Sequence, residues 1–361
     1  MSPIRKFASA VCAAACVCTF SACSLHGIRV EDLPEPTIRS SWAHSGIRDE
    51  RAAFTQYFCQ ELSQVSPEVD CPQWLWKPPT QVVAATNPTA GIASRRTLII
   101  APGIFGECVA PWVTPFSADY SALEGRGYRI KILPLEGRAS AARNARIIHE
   151  HLSDPSLALA DALVIAYSKG SSDFMLAASQ PESATWRDRI SAFVSVAGTP
   201  HGSPAANHGA DLYRNLLAKI PLDACDRSDG GGIQSLTYAE TRRIAEAFVE
   251  SKPPFATYSV AAVAADGPIN PLLKGFHQWL SRIDERNDGQ VLLEDAIVPQ
   301  STVLGVFRAD HWSIALPFEE SSAFQMKPLG YNNHFPRGAL VRAIVEFTAP
   351  VSIWATTEQE P

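Results

Sequence analysis

The side chains of this 361-residue sequence that could cooperate in nucleophilic chemistry occur in the order Ser, Asp, His. The serine is Ser168, in Ala166-Tyr167-Ser168-Lys169-Gly170. A serine hydroxyl attacks poorly until a base takes its proton and a third group holds that base in the right tautomer. His311, in Ala309-Asp310-His311-Trp312, directly follows a late apolar run and is the candidate base. His201 and His334 compete less well: one follows an earlier strand-like run and reads as site rim, the other lies far past the last run and reads as a cap of the final helix. Three carboxylates could be the acid. Asp288 lies in Asn287-Asp288-Gly289, where the glycine allows a tight turn that presents it; Asp266 and Asp295 are the alternatives. Asp310 is too close to the base to orient it.

Such a set needs elements that hold it. Ala162 to Ala166 reads as a fully buried strand, and Ser171 to Gln180, closed by Pro181, as a helix. A strand, a sharp turn centred on a serine and a helix present the hydroxyl at the edge of a sheet, and small residues flank the turn because the backbones nearly touch. The five-residue pattern alone arises by chance in roughly one of four chains of this length, so context decides. Attack on a carbonyl also creates an oxyanion that needs two preorganised N–H donors. The backbone N–H of Lys169, directly after the serine, is one candidate. Ile104 is the other, with Phe105 as its alternative, in Pro102-Gly103-Ile104-Phe105-Gly106 after an early buried strand. The Lys169 side chain does not read as a base, because Ser168 lacks a lysine three places on.

From Arg96 onward strand-like and helix-like stretches alternate. Strands are expected at Thr97 to Ala101, Arg129 to Leu133, Ala162 to Ala166, Ile190 to Ala197, Phe255 to Ala264 and Val303 to Arg308. Helices are expected at Ser117 to Gly125, Ala141 to Leu152 with Ser140 as N-cap, and Arg337 to Phe347. This predicts an α/β fold with a mostly parallel sheet and helices on both faces, over residues 96–350. Between His201 and Lys252 the alternation stops. A helical cap is expected over about 203–252, with a flexible break at Asp229-Gly230-Gly231-Gly232 and a capping box made by Thr237 and Glu240. Residues 51–95 read as an N-terminal extension packed on the core, with a helix from Arg51 to Leu62, and 351–361 as a tail.

A formal charge of −6 leaves no electrostatic footprint for nucleic acid. At the N-terminus, Arg5 and Lys6 precede the apolar run Phe7 to Phe20 and the small residues before Cys23. The run is too short to span a bilayer as a mature helix. It resembles a bacterial lipoprotein signal: residues 1–22 would be removed and Cys23 would carry the lipid. Residues 23–50 would then be a tether to the membrane. Ser24 after the modified cysteine favours the outer membrane. In an exported chain the four remaining cysteines read as disulfides. Of three possible pairings, Cys59–Cys71 closes a short loop and leaves Cys108–Cys225 as a long-range staple. Their spacing does not suit zinc.

Pro-Gly-Ile-Phe-Gly, Ala-Tyr-Ser-Lys-Gly, Gly-Thr-Pro-His-Gly-Ser, Asn-Asp-Gly and Ala-Asp-His, in that order, resemble the lipase and esterase branch of the α/β-hydrolase superfamily over about residues 96–347. In bacterial lipases of this kind the acid lies in an Asn-Asp-Gly segment, which ranks Asp288 above Asp266. The resemblance implies a cofactor-free serine hydrolase that works through a covalent acyl-enzyme; a lipid or other small ester is the expected substrate, and a monomer the expected state. Acyl transfer, thioester or polyester cleavage by the same triad is the alternative, as is a non-catalytic envelope lipoprotein. Pro102 stands where many lipases carry His. Ser313 stands where calcium-binding lipases tend to carry Asp, so no metal site is carried over.

Overall fold

The architecture follows from a run of strands whose central members are apolar on both sides. In the computed structural model, which describes residues 46–76, 96–104, 106, 110, 112–157, 159, 161–215, 228–264, 267–322, 330 and 334–349, these strands build one sheet. They are β1 (Arg48–Asp49), β2 (Thr97–Ala101), β3 (Arg129–Ile132), β4 (Ala162–Tyr167), β5 (Ile190–Val196), β6 (Ala256–Ala262) and β7 (Thr302–Phe307). The order among the described residues is β1-β7-β6-β5-β4-β2-β3, and every neighbouring pair is parallel.

Side chains alternate across the sheet with the two-residue period of a strand. Leu98 and Ile100 of β2, with Leu163, Ile165 and Tyr167 of β4, face one layer. Ile99, Ala101, Val164 and Ala166 face the other. The first layer is α1 (Arg51–Val65) and α8 (Arg337–Phe347). The second is α3 (Ala141–Leu152), α4 (Lys169–Ser179) and α6 (Tyr238–Ser251). The remaining described helices are α2 (Tyr120–Gly125), α5 (Pro204–Asn215) and α7 (Lys274–Leu280). No described helix is long and apolar enough to cross a membrane.

The expected strands lie within one or two residues of the observed ones. The two-residue strand β1 falls in the stretch read as tether: its residues are exposed, and only its backbone pairing with β7 marks it. The N-terminal extension is a working part of the first layer. Phe54 and Phe58 of α1 pack edge-on against Phe307 of β7, and the Cys59–Cys71 disulfide pins the middle of that helix to the turn that leads to Leu75. Cys108 and Cys225 lie outside the described residues, as does Cys23.

The region expected as a cap divides. Its second helix, α6, lies on the sheet: Ile244 and Phe248 are buried with Phe193 in the second layer. Thr237 caps that helix without the expected box, because its hydroxyl bonds back to the Gln234 carbonyl instead. The glycine run beside it is a pinned turn rather than a loose break. Asp229 accepts from the Ser140 backbone and hydroxyl, and a Cβ on Gly231 would sit 2.6 Å from Ser140 Cβ. Ser140 also caps α3 as expected, accepting from the Arg143 N–H.

Candidate active site

Because all strand pairs run parallel, the loops after β2, β4, β5 and β7 meet at one edge of the sheet. The chain reverses its direction of travel across the sheet between β4 and β2, which opens a crevice at their carboxyl ends. Ser168 stands at that crevice. It has φ 53° and ψ −129°, an unfavourable conformation for a residue with a side chain. The surroundings force it. The Ser168 N–H is held by the Val196 carbonyl at 3.2 Å, and the helix α4 starts at the next residue. The turn closes because Gly170 has no side chain: a Cβ there would lie 2.4 Å from the Ala101 carbonyl oxygen. Gly103 lets the loop after β2 press on Ser168, with a virtual Cβ 2.8 Å from the serine's own.

His311 follows β7, and its Nε2 lies 2.9 Å from Ser168 Oγ. Its Nδ1 lies 2.7 Å from Asp288 Oδ2. With a carboxylate as acceptor, Nδ1 carries the proton and Nε2 is left to accept from the serine hydroxyl. The other oxygen of Asp288 accepts from the N–H groups of Gln290 and Val291, at 2.9 and 2.8 Å. Gly289, at φ +93°, provides the turn. The three side chains are buried, at 3 %, 1 % and 1 % exposure for Ser168, Asp288 and His311, so bulk water does not compete for these bonds.

Among the other carboxylates, Asp295 accepts from the Tyr238 hydroxyl at 2.9 Å, and Asp266 lies outside the described residues. The backbone N–H of Lys169 is the first of α4, a position with no partner inside the helix. Ile104 follows Gly103 over the serine; Phe105 lies outside the described residues. The His201 N–H bonds to the Asp295 carbonyl, and Ser203 of the same loop donates to the Gln290 carbonyl at 2.6 Å, which ties this rim to the turn of Asp288. His334 is exposed and does not cap α8, whose N-cap is Pro336. His149 of α3 bonds to Gln180 and Trp186, away from this site.

Three supports were not read from the sequence. The Tyr167 hydroxyl donates to the His311 carbonyl at 2.8 Å, and burial raises its ionisation well above the ordinary tyrosine range. Asp310 accepts from the N–H groups of Asn270, Trp312 and Ser313 at 2.7, 3.0 and 2.7 Å, bracing the turn that carries His311. Burial pushes its carboxyl up, opposed by those N–H donors. Lys169 extends a fully buried ammonium to Asp173. A tyrosine before the serine and an aspartate before the histidine were visible, but the bonds they make join residues far apart in the chain. An open hollow of about 720 Å³ between α3 and the turn after α4, lined by Arg146, His149 and Glu182 among others, contains none of these groups.

A scan against protein-family models gives no match, and neither does a search of curated protein sequences. Solved structures do match. The metagenomic carboxyl esterase MGS0156 superposes with a TM-score of 0.76 at 28% identity, covering 87% of this chain and 96% of its own. The chain has the α/β-hydrolase fold. The mature form of Bacillus licheniformis lipase BlEst2 is more distant, with a TM-score of 0.47 at 17% identity over 64% of this chain and 89% of its own. Within the α/β-hydrolase fold, Ser168 occupies the turn after a central strand, and His311 the loop after the last described strand.

Proposed function

We propose that the protein is a carboxylic ester hydrolase that works through an acyl-enzyme on Ser168. The observation that carries this reading is the buried chain of hydrogen bonds from Ser168 to His311 to Asp288, 2.9 and 2.7 Å long. Likeness to a carboxyl esterase at a TM-score of 0.76 supports the choice of substrate class.

In this mechanism the Ser168 hydroxyl attacks the ester carbonyl while His311 Nε2 takes its proton. Asp288 keeps the imidazole oriented and stabilises the imidazolium that forms. The backbone N–H groups of Lys169 and Ile104 receive the oxyanion of the tetrahedral intermediate. His311 then gives its proton to the departing alcohol, leaving the acyl group on Ser168. A water molecule, deprotonated by His311, attacks that acyl group; the carboxylic acid leaves and the serine recovers its proton. The chemistry needs no cofactor.

Steady-state hydrolysis of a panel of p-nitrophenyl esters tests the reading. Wild type should turn over, and Ser168→Ala should lose roughly three orders of magnitude or more in kcat. Undiminished turnover by Ser168→Ala would sink the proposal. Product analysis with an added alcohol separates hydrolysis from acyl transfer, and exclusively water-derived products favour hydrolysis.

Export and attachment to the outer membrane through lipid on Cys23 are part of the same proposal. They rest on the basic, apolar and small-residue order of residues 5–23, and are supported by the Cys59–Cys71 disulfide, which suits an oxidising compartment. Cys23→Ser should move the protein from the membrane fraction to the soluble one; a protein that stays membrane-bound refutes the anchor.

A further inference from the structure

The residue directly after the nucleophile breaks three rules of helix chemistry at once. Lys169 is 0 % exposed, although lysine is rarely fully buried. It places a cation on the first turn of α4, where the helix dipole disfavours positive charge. Its partner Asp173 lies four residues towards the C-terminus, the less favourable order for such a pair.

The ammonium nonetheless has a buried carboxylate partner. Lys169 Nζ donates to Asp173 Oδ1 at 2.7 Å and to Oδ2 at 2.8 Å. Asp173 Oδ2 also accepts from Asn144 Nδ2 on α3 at 2.7 Å. Asn144 in turn brackets Glu136, accepting from its N–H and donating to its carbonyl, both at 3.0 Å. The buried chain therefore runs from the first residue of α4 to the loop after β3. Burial pushes the Asp173 carboxyl up, and Lys169 and Asn144 oppose that shift. Replacing a buried ion pair by apolar groups of similar size is often neutral or stabilising. Packing alone therefore gives no reason for this pair at this place.

We infer that Lys169 and Asp173 are positioning residues: their buried ion pair, braced by Asn144, fixes the first turn of α4 so that the Lys169 N–H points at the developing oxyanion. The pair does not touch the substrate. It acts through the backbone that both residues share, in the way that second partners orient a site's working groups. The inference rests on the proposed ester hydrolysis.

The test compares Asp173→Asn with the double variant Lys169→Met/Asp173→Leu, using p-nitrophenyl butyrate kinetics and thermal unfolding. Asp173→Asn strands a buried ammonium and should lower both stability and kcat. The double variant should recover the unfolding temperature but not the rate. Its kcat should remain roughly 10- to 100-fold down with KM within about two-fold of wild type, because a misaimed donor is felt in the transition state and not in ground-state binding. A kcat that recovers together with stability overturns the inference, since the pair would then be packing alone. Asn144→Ala leaves both charges in place and gives an independent reading: a several-fold fall in kcat at unchanged KM supports the role, and a wild-type kcat in this folded variant overturns it. An active wild type with an unimpaired double variant counts against the pair alone, whereas a wild type inert towards every ester removes the hydrolase reading beneath it.

Discussion

The phenol of Tyr167 donates a 2.8 Å hydrogen bond to the main-chain carbonyl of His311, so the residue before Ser168 holds the backbone of His311. The His311 N–H completes the clamp by donating to the Asp288 carbonyl at 2.8 Å. Ser168, His311 and Asp288 are thus fixed by main-chain bonds as well as by the side-chain bonds that join them.

Tyr167→Phe removes one arm of that clamp and leaves a buried carbonyl without its donor. The expected cost is about 1–2 kcal/mol of stability, with kcat roughly 10-fold lower at unchanged KM because the base is less well aimed. Urea unfolding and steady-state kinetics read the two effects. A variant with wild-type kcat would mean that the Asp288 and Asp310 contacts hold His311 by themselves.

Gly170→Ala tests the closeness of strand and helix. The added methyl would meet the Ala101 and Pro102 carbonyl oxygens at 2.4 and 2.6 Å, and backbone cannot step aside cheaply. The expected loss is roughly 3 kcal/mol or more, with activity falling as the loop of Ile104 is pushed away. Differential scanning calorimetry decides the matter: a change in Tm of only a degree or two contradicts the geometry.

How much of this could be read from residues alone depends on the range of the interaction. The strands from β2 to β7 were legible: most are apolar runs on both sides, which have few alternatives, and β3 shows the Arg-Ile-Lys-Ile alternation of a largely exposed strand. So were Ser168 and His311, which sit in turns just past β4 and β7, and Asp288, whose Asn-Asp-Gly turn lies in the connection between β6 and β7, in the order this chemistry requires. Strand β1 was not legible: two exposed residues, Arg48 and Asp49, carry no pattern, and only pairing with β7 makes them a strand. The place of α6 on the sheet was not legible, because its apolar face suits a cap as well. The burial of Lys169 has no local signal, since nothing near Lys169 and Asp173 in the sequence announces that Asn144 completes the site from another helix.

A charge cluster joins the first layer to the start of the body. Arg342 of α8 reaches Glu61 of α1 at 3.0 Å and also Asp119, and Arg126 reaches Glu61 at 3.2 Å. Burial pushes the Asp119 carboxyl up to about 6, with Arg342 and Arg126 pulling the other way. A carboxyl whose folded value is raised binds its proton more tightly folded than unfolded. Its contribution is therefore complete below about pH 4 and is lost as pH rises through about 6. Measured against Asp119→Asn, wild type should lose roughly 1 kcal/mol per pH unit between pH 4.5 and 6. A difference that does not vary over this window refutes the assignment.

The Cys59–Cys71 bond closes a loop with a sequence separation of 12. By loop-closure entropy, Cys59→Ser/Cys71→Ser should cost about 3 kcal/mol. The kcat of the folded variant should stay close to wild type, because α1 supports β7 from the far side of Phe307. Chemical denaturation with and without reductant measures the first effect, and ester kinetics the second. Equal stability of oxidised and reduced protein would show that the packing of Phe54 and Phe58 already fixes the helix.

The central claim is that Ser168 is the nucleophile and that His311 and Asp288 make it one. Intact-protein mass spectrometry after exposure to a fluorophosphonate, with the adduct mapped by peptide sequencing, reads this directly. One adduct per chain on Ser168 is expected, absent in Ser168→Ala and formed at least 100-fold more slowly in His311→Ala. An adduct on another serine, or equal labelling of Ser168→Ala, would contradict the account.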